Sequence, residues 1–431
     1  MSKYKDTIYA LSTPTGKSAI AVIRISGDQS LNILKKISLI KKFAPNKTKL
    51  TLLKFKKDII DQVLVVFFKK PNSFTGEEMV EINCHGSIAI ITKISEILEG
   101  LGIRLADPGE FTRRSLMNDK LDLLQTEGLA DLINSETEKQ RSMAISGLSG
   151  KLSSFANETN EEIKQMLANT EALIDFSDED LPKNILNKIL EQNKNTIKRI
   201  EKEIINSKIS KSIRDGFVVS LVGKPNTGKS SFINYISNKE VSIVTSIPGT
   251  TTDAVTSTTD IEGYKFTFVD TAGLRKHKNK IEEIGIKKTK EIILSSNLNL
   301  VFLEKNEINK YFEIKDKIFV RSKLDKKKVI SLEKNIINIS SVTGEGVKKL
   351  LKKITQKLIK NKKNEPILSR ERHLKIMKQV LHELKTINSK NTLDIIAFKL
   401  REALRISLEI NQKFDIEDVL DIIFKDFCIG K

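Results

Sequence analysis

Tryptophan is absent from this chain, and cysteine occurs only twice in 431 residues. Cys84 and Cys428 lie far apart with no paired-ligand spacing, which excludes a disulfide framework and a thiolate zinc site and suits a reducing compartment. Residues 1–28 lack the sustained apolar segment of a secretory signal, and no apolar run approaches the roughly 18 residues that a membrane-spanning helix needs. A cytoplasmic protein with no membrane attachment is expected. Internal repeats and low-complexity tracts are missing as well.

Positive charge and apolar residues are plentiful. Lys plus Arg number 74 against 55 Asp plus Glu, a formal net charge of +19 that would suit a polyanionic partner such as RNA. The lysines are dispersed, and Ile and Asn are also abundant, a pattern that AT-rich coding bias produces equally well; charge alone leaves RNA binding open. Hydrophobic residues make up 39% of the chain, ample for buried cores, and the length suits about three domains.

Residues 1–118 mix strand-like runs (19–25, 62–68) with helix-like segments such as 88–98, as expected of an N-terminal α+β domain. Cys84 and His85, beside Gly86, are expected at a strand-to-loop transition. Over 119–213 the spacing becomes helical, with Ile163, Met166, Leu167 and Ile174 on one face, and 177–182 joins two long helices. Residues 214–362 alternate strands and helices like a doubly wound α/β sheet, although 299–320 looks short and irregular. Helical spacing returns over 363–431, ending on the stripe Val419, Leu420, Ile423, Phe424 and Phe427. The expected fold is multidomain α/β and α: an α+β domain, then a helical domain interrupted by an inserted α/β domain.

The insert carries the chemistry. Gly223-Lys224-Pro225-Asn226-Thr227-Gly228-Lys229-Ser230 follows the strand-like run 217–222 and precedes a helix predicted over 231–236, so it is a phosphate-binding loop in its required context. Its amides would cradle the β- and γ-phosphates, Lys229 would add a point charge, and Ser230 would ligate Mg²⁺, with Ser231 opening the helix that points at the same phosphates. Asp270-Thr271-Ala272-Gly273 then follows the apolar run 266–269, placing a carboxylate where it can hold Mg²⁺ through water. Between them, Pro248, Gly249, Thr250, Thr251 and Thr252 form a loop able to close over the γ-phosphate, with Thr251 a second Mg²⁺ ligand. The ordered series describes a Ras-like P-loop switch GTPase.

Base choice falls to Ser322-Lys323-Leu324-Asp325, where Asp325 can accept hydrogen bonds from the guanine N1–H and 2-amino groups. Asn usually stands at the place of Ser322, so one contact to guanine or to the phosphate loop is expected to be shortened or lost. Ser340 and Ser341 occupy the place of the short loop that completes the guanine pocket. Leu274 stands where Ras-like enzymes carry the glutamine that orients water; Glu282 is the candidate to replace it, against the ordinary alternative of a solvated helix carboxylate.

Beyond this series, the chain resembles the MnmE (TrmE) family of tRNA modification GTPases over essentially its whole length. The residues are Asp6-Thr7-Ile8, the stretches 22–27 and 72–78, Pro108-Gly109-Glu110-Phe111, the stretch 118–123 and the terminal Cys428-Ile429-Gly430-Lys431. The resemblance implies a K⁺-dependent GTPase, a homodimer working with the flavoprotein MnmG, that installs an aminomethyl or carboxymethylaminomethyl group on C5 of the wobble uridine of certain tRNAs. It implies 5,10-methylenetetrahydrofolate, or a 5-formyl analogue, on Arg24, Glu81, Lys120 and Lys431. It implies GTP contacts running through Thr245, Ser246 and Ile247, K⁺ ligands at Asn226, Thr245, Ile247 and Thr250, and a water-orienting role for Glu282. Cys428 is either a small apolar residue or a thiol in the modification chemistry. Without the resemblance, Arg24 and Glu81 read as surface charges. The competing functions are a regulatory switch acting on ribosomal RNA or ribosome assembly, and a scaffold with a decayed GTPase.

Overall fold

The structure is a computed structural model, and it describes residues 6–176, 184–239, 255–271, 289–304, 308–311, 313–326, 335–359, 366–411 and 430. The chain divides into two compact units: 1–130 with 147–158 and 408–431, and 131–146 with 159–407.

The first unit is built on a six-stranded sheet of order β3-β4-β5-β2-β1-β6: β1 (Ile8–Leu11), β2 (Ser18–Ser26), β3 (Lys49–Phe55), β4 (Asp58–Phe68), β5 (Met79–Gly86) and β6 (Arg104–Leu105). All pairings are antiparallel except β1 with β6. Strand alternation sorts side chains between faces. Tyr9, Ile23, Ile25, Val65 and Ile82 join one core with Ile33 and Leu34 of α1 (Ser30–Ile37) and Ile94 and Leu98 of α2 (Ile88–Gly100). Ile8 and Ala10, one step out of phase with Tyr9, pack instead on Phe111 of α3 (Glu110–Met117). Cys84 and His85 are the residues before the end of β5, which closes at Gly86, paired with Ser18; the chain leaves the strand at Ser87 and enters α2 at Ile88. Cys84 is buried, and burial pushes its thiol up to about 11.

The second unit carries a sheet of order β12-β11-β10-β7-β9-β8. It comprises β7 (Phe217–Gly223), β8 (Val255–Ile261), β9 (Tyr264–Asp270), β10 (Leu298–Phe302), β11 (Lys317–Arg321) and β12 (Ile336–Asn338). The β8–β9 hairpin is antiparallel and every other pairing is parallel. The expected irregularity of 299–320 holds only between two strands, where the described residues include no more than a 3₁₀ turn at Ile308–Tyr311. Leu298–Phe302 is wholly buried beside β7, and Lys317–Arg321 pairs with it in parallel. A short buried strand shows no alternation, because both faces are covered. The core joins Val219, Leu221, Phe266, Phe268 and Leu300 to Phe232 and Ile236 of α9 (Lys229–Lys239) and to Leu350 and Ile354 of α10 (Val347–Ile359). Helix α9 begins at Lys229, earlier than the predicted 231.

The remaining helices are α4 (Leu123–Ile133), α5 (Glu138–Leu148), α6 (Lys151–Asp175), α7 (Ile185–Asn206), α8 (Ser210–Asp215), α11 (Glu371–Lys385) and α12 (Leu393–Leu408). Ile163 and Met166 are buried on α6 as the helical spacing demands. Arg199 on α7 donates to Glu162 on α6 at 2.8 Å, and Asn193 donates to the carbonyl of Leu384 on α11 at 3.0 Å. The expected joint 177–182 and the stripe 419–427 lie outside the described residues. Among the described residues no helix is long and apolar enough to cross a membrane.

Candidate functional site

Strand β7 is central, with β9 on one side and β10 on the other, so its C-terminal end opens on the crevice where doubly wound sheets bind ligands. The chain turns there before α9. Gly223, Asn226 and Gly228 take φ of 149°, 64° and 94°. A Cβ on Gly223 would stand 2.5 Å from the Phe302 carbonyl oxygen, and one on Gly228 would stand 2.4 Å from Ser322 Oγ. Angle and space therefore both require glycine at these two positions. Amides turned this way, followed by the N-terminus of α9, make an anion nest.

Lys229 Nζ donates to the carbonyls of Gly223 at 3.0 Å and Lys224 at 2.8 Å, so the ammonium already lies over the loop. Ser230 Oγ donates to Asp270 Oδ2 at 2.8 Å. A hydroxyl and a carboxylate meeting at the foot of the nest are the hard oxygen donors that Mg²⁺ prefers, and the residues fit that ion. Asp270 is buried as the last residue of β9, and Thr271 is tied back to β7 by its hydroxyl on the Leu221 carbonyl at 2.8 Å. Thr227 is buried and Ser231 is exposed on the first turn of α9.

On the base side, Ser322 Oγ donates to the Thr227 carbonyl, and Lys323 Nζ donates to the Asn226 carbonyl at 2.6 Å. The phosphate-loop contact expected to suffer from Ser322 is thus made by the shorter side chain. Asp325 Oδ1 accepts the Ser340 hydroxyl at 2.7 Å, and Ser340 Oγ accepts the amides of Val342 and Thr343. The carboxylate is aimed by a neutral partner and keeps acceptor sites for two N–H donors. Ser341 Oγ is buried with no hydrogen-bond partner among the described residues, the kind of orphan that a bound base satisfies. Thr245, Ser246, Ile247, Pro248, Gly249, Thr250, Thr251, Ala272, Gly273, Glu282, Cys428 and Lys431 lie outside the described residues, so Asn226 is the one described K⁺ candidate.

In the first unit, Arg24 and Glu81 face each other across β2 and β5, with Arg24 Nε donating to Glu81 Oε1 at 2.8 Å. Arg24 Nη1 and the Ser12 hydroxyl also reach the Gly430 carbonyl, at 3.4 and 3.0 Å, which puts the residue beside Lys431 at this pair. Both partners are about a fifth exposed, and the carboxylate keeps lone pairs beyond the one that Arg24 uses. An acceptor and cations together fit a pterin with an anionic tail. Lys120 is exposed, its stem lying against Gly76.

Sequence reasoning attached no role to Glu77, Glu110 or Arg114. Arg114 is wholly buried and bonds Glu110 at 2.8 Å, Asp6 at 2.9 Å and Glu77 at 3.2 Å, while Ser26 Oγ also donates to Glu77 at 2.8 Å. Burial pushes the Glu110 carboxyl up, but Arg104, the Asp107 amide and Arg114 together hold it below the usual carboxylate range. Asp6 is likewise pushed up by burial and held low by Arg104 and Arg114. A partial signal was present in the four-residue spacing of Glu110 and Arg114, which puts both on one face of a helix.

This fold and this site define a P-loop GTPase of the Ras-like kind. Family models described as the MnmE helical domain and the GTP-binding protein TrmE N-terminus match residues 123–428 and 7–120. The chain is 35% identical to the tRNA modification GTPase MnmE of Orientia tsutsugamushi, covering 99% of both chains, and 38% identical to that of Pelagibacter ubique, covering 99% and 100%. The G domain of the T. maritima FeoB iron transporter aligns with 33% of this chain and 98% of its own at 24% identity and a TM-score of 0.26. On its full-length relatives, the chain belongs to the MnmE family of tRNA modification GTPases.

Proposed function

We propose that this protein is a K⁺-dependent GTPase which, with the flavoprotein MnmG, installs an aminomethyl or carboxymethylaminomethyl group on C5 of the wobble uridine of certain tRNAs. The observation that carries this is the meeting of Ser230 and Asp270 at the phosphate nest, in a chain whose full-length relatives are tRNA modification GTPases. Residues 214–362 act as the G domain, inserted between helical parts 119–213 and 363–431, and 1–118 takes the tetrahydrofolate.

Lys229 exchanges its carbonyl partners for the β- and γ-phosphates. Ser230 and Thr251 hold Mg²⁺, and Asp325 reads guanine. Asn226, Thr245, Ile247 and Thr250 hold K⁺, whose charge would offset the charge developing between the phosphates. Glu282 orients the attacking water, a role Leu274 cannot fill. Arg24, Lys120 and Lys431 bind the folate tail while Glu81 accepts from the pterin, and the Cys428 thiol acts in the modification chemistry. The working form is a cytoplasmic homodimer.

Mass spectrometry of tRNA nucleosides from cells lacking this protein, rescued by the intact chain or by Lys229→Ala, tests this function. Loss of the C5-modified uridine, restored by the intact chain only, is expected. Unchanged nucleosides throughout would favour a regulatory switch acting on ribosomal RNA.

A further inference from the structure

In the second unit, residues from the start of α8 and the turn before it, from α11, and from α12 line a cleft of about 800 Å³. Leu374 and Ile406, both half-buried, give it apolar surface. Its polar lining is dominated by lysine. Lys208 and Lys211 flank the start of α8, and Lys375 and Lys378 lie one turn apart on α11, with His382 a further turn along. All are exposed.

Most of this charge is uncompensated. Among the described residues Lys208, Lys375 and Lys378 have no ion-pair partner, and Lys211 approaches Glu371 only to 3.9 Å. Glu383, the other lining carboxylate, is engaged by Lys399 at 2.9 Å. A surface evolved for a protein partner concentrates aromatic side chains and depletes lysine at its centre. This lining has four lysines and no Phe, Tyr or Trp, and its one arginine, Arg370, is held by Asp131 at 2.8 Å. Ammonium groups around an aliphatic floor instead match a strand of phosphates, each held as a point charge while the sugars rest on Leu374 and Ile406.

We propose that this cleft docks the phosphate backbone of an RNA strand, that of the tRNA substrate; this rests on the tRNA-directed function proposed above. The test measures binding of unmodified tRNA to the full chain between about 50 and 200 mM salt. It compares the wild type, the triple variant Lys208→Gln/Lys375→Gln/Lys378→Gln, its Lys→Arg counterpart, and a control triple on α10, Lys348→Gln/Lys349→Gln/Lys352→Gln. The cleft variant should bind at least about tenfold more weakly at low salt, with a log–log salt slope shallower by about 2, because each phosphate contact contributes roughly 0.7–0.9. The arginine and α10 variants should stay close to wild type, and GTP hydrolysis should be unchanged in all.

Equal losses in the cleft and α10 triples would reduce the effect to bulk charge and overturn the proposal. Retained tRNA affinity in the cleft triple would also overturn it, and loss of assembly with the flavoprotein in that variant would assign the cleft to a protein partner. If the C5-modified uridine is restored by the intact chain and not by Lys229→Ala while the cleft triple binds tRNA normally, only the cleft assignment fails. If no tRNA nucleoside changes and the wild type binds no tRNA, the proposed function fails with it.

Discussion

Arg114 is the residue on which the first unit's polar interior depends. Its guanidinium is wholly buried against three carboxylates, so removing it strands negative charge away from water. Arg114→Met should lower the stability of that unit by about 3–5 kcal/mol, read as an early shift in its unfolding transition. The pH dependence carries the sign. Asp6 and Glu110 have folded-state pKa values below their ordinary ones, so their contribution is fully present above about pH 4.5 and is lost as pH falls through the lowered values. The gap between wild type and Arg114→Met should therefore narrow as pH drops from about 6 toward 3; a constant gap would mean the lost stability comes from packing. At the nucleotide site, Asp325→Asn removes the charged acceptor proposed for guanine. Hydrogen bonds to charged groups contribute about 1.5–3 kcal/mol, so GTP affinity should fall roughly 10- to 150-fold in a titration with labelled GTP. Ser322→Ala loses only the neutral bond to Thr227 and should cost about tenfold or less.

At the level of elements, β7, the turn 223–228 and α9 were legible in the sequence because glycine spacing, an apolar run and a lysine each demanded the same local geometry. The Asp270 side chain was legible for the same reason, ending a strand whose partner is β7. Strands β10 and β11 were not, since Leu298–Phe302 is too short and too evenly apolar to show a period, and its identity comes from pairing with β7 and β11. The contacts of Arg114 with Glu77 and Asp6 were hidden for a related reason: they join residues distant in sequence, and only the i,i+4 spacing of Glu110 and Arg114 on α3 could be seen locally. Gly223 lies where local and long-range demands meet. Gly223→Ala would drive a methyl into the Phe302 carbonyl at the β7–β10 junction. It should destabilise the second unit by about 1–3 kcal/mol and weaken nucleotide binding, measured as a lower melting temperature and a raised Kd for GDP. Wild-type melting and affinity in that variant would show that the junction relaxes without cost.

Among the described residues the two sheets carry separate main cores: Ile23, Val65 and Ile82 belong to one, and Leu221, Phe232 and Phe268 to the other. A ligand stabilises only the unit whose folded state it binds, by about 2.7 kcal/mol at a hundredfold excess over Kd. Mg²⁺ with GDP should therefore raise one calorimetric transition of the full chain and leave the other in place. Arg114→Met should do the reverse, lowering the transition that nucleotide does not move. A reduced folate should raise the same transition that Arg114→Met lowers, since Arg24 and Glu81 stand on the sheet whose β2 carries Ser26, the hydroxyl bonded to Glu77. If both ligands move a single transition, the two units unfold as one cooperative body, and nucleotide state is then linked thermodynamically to occupancy of the Arg24–Glu81 site.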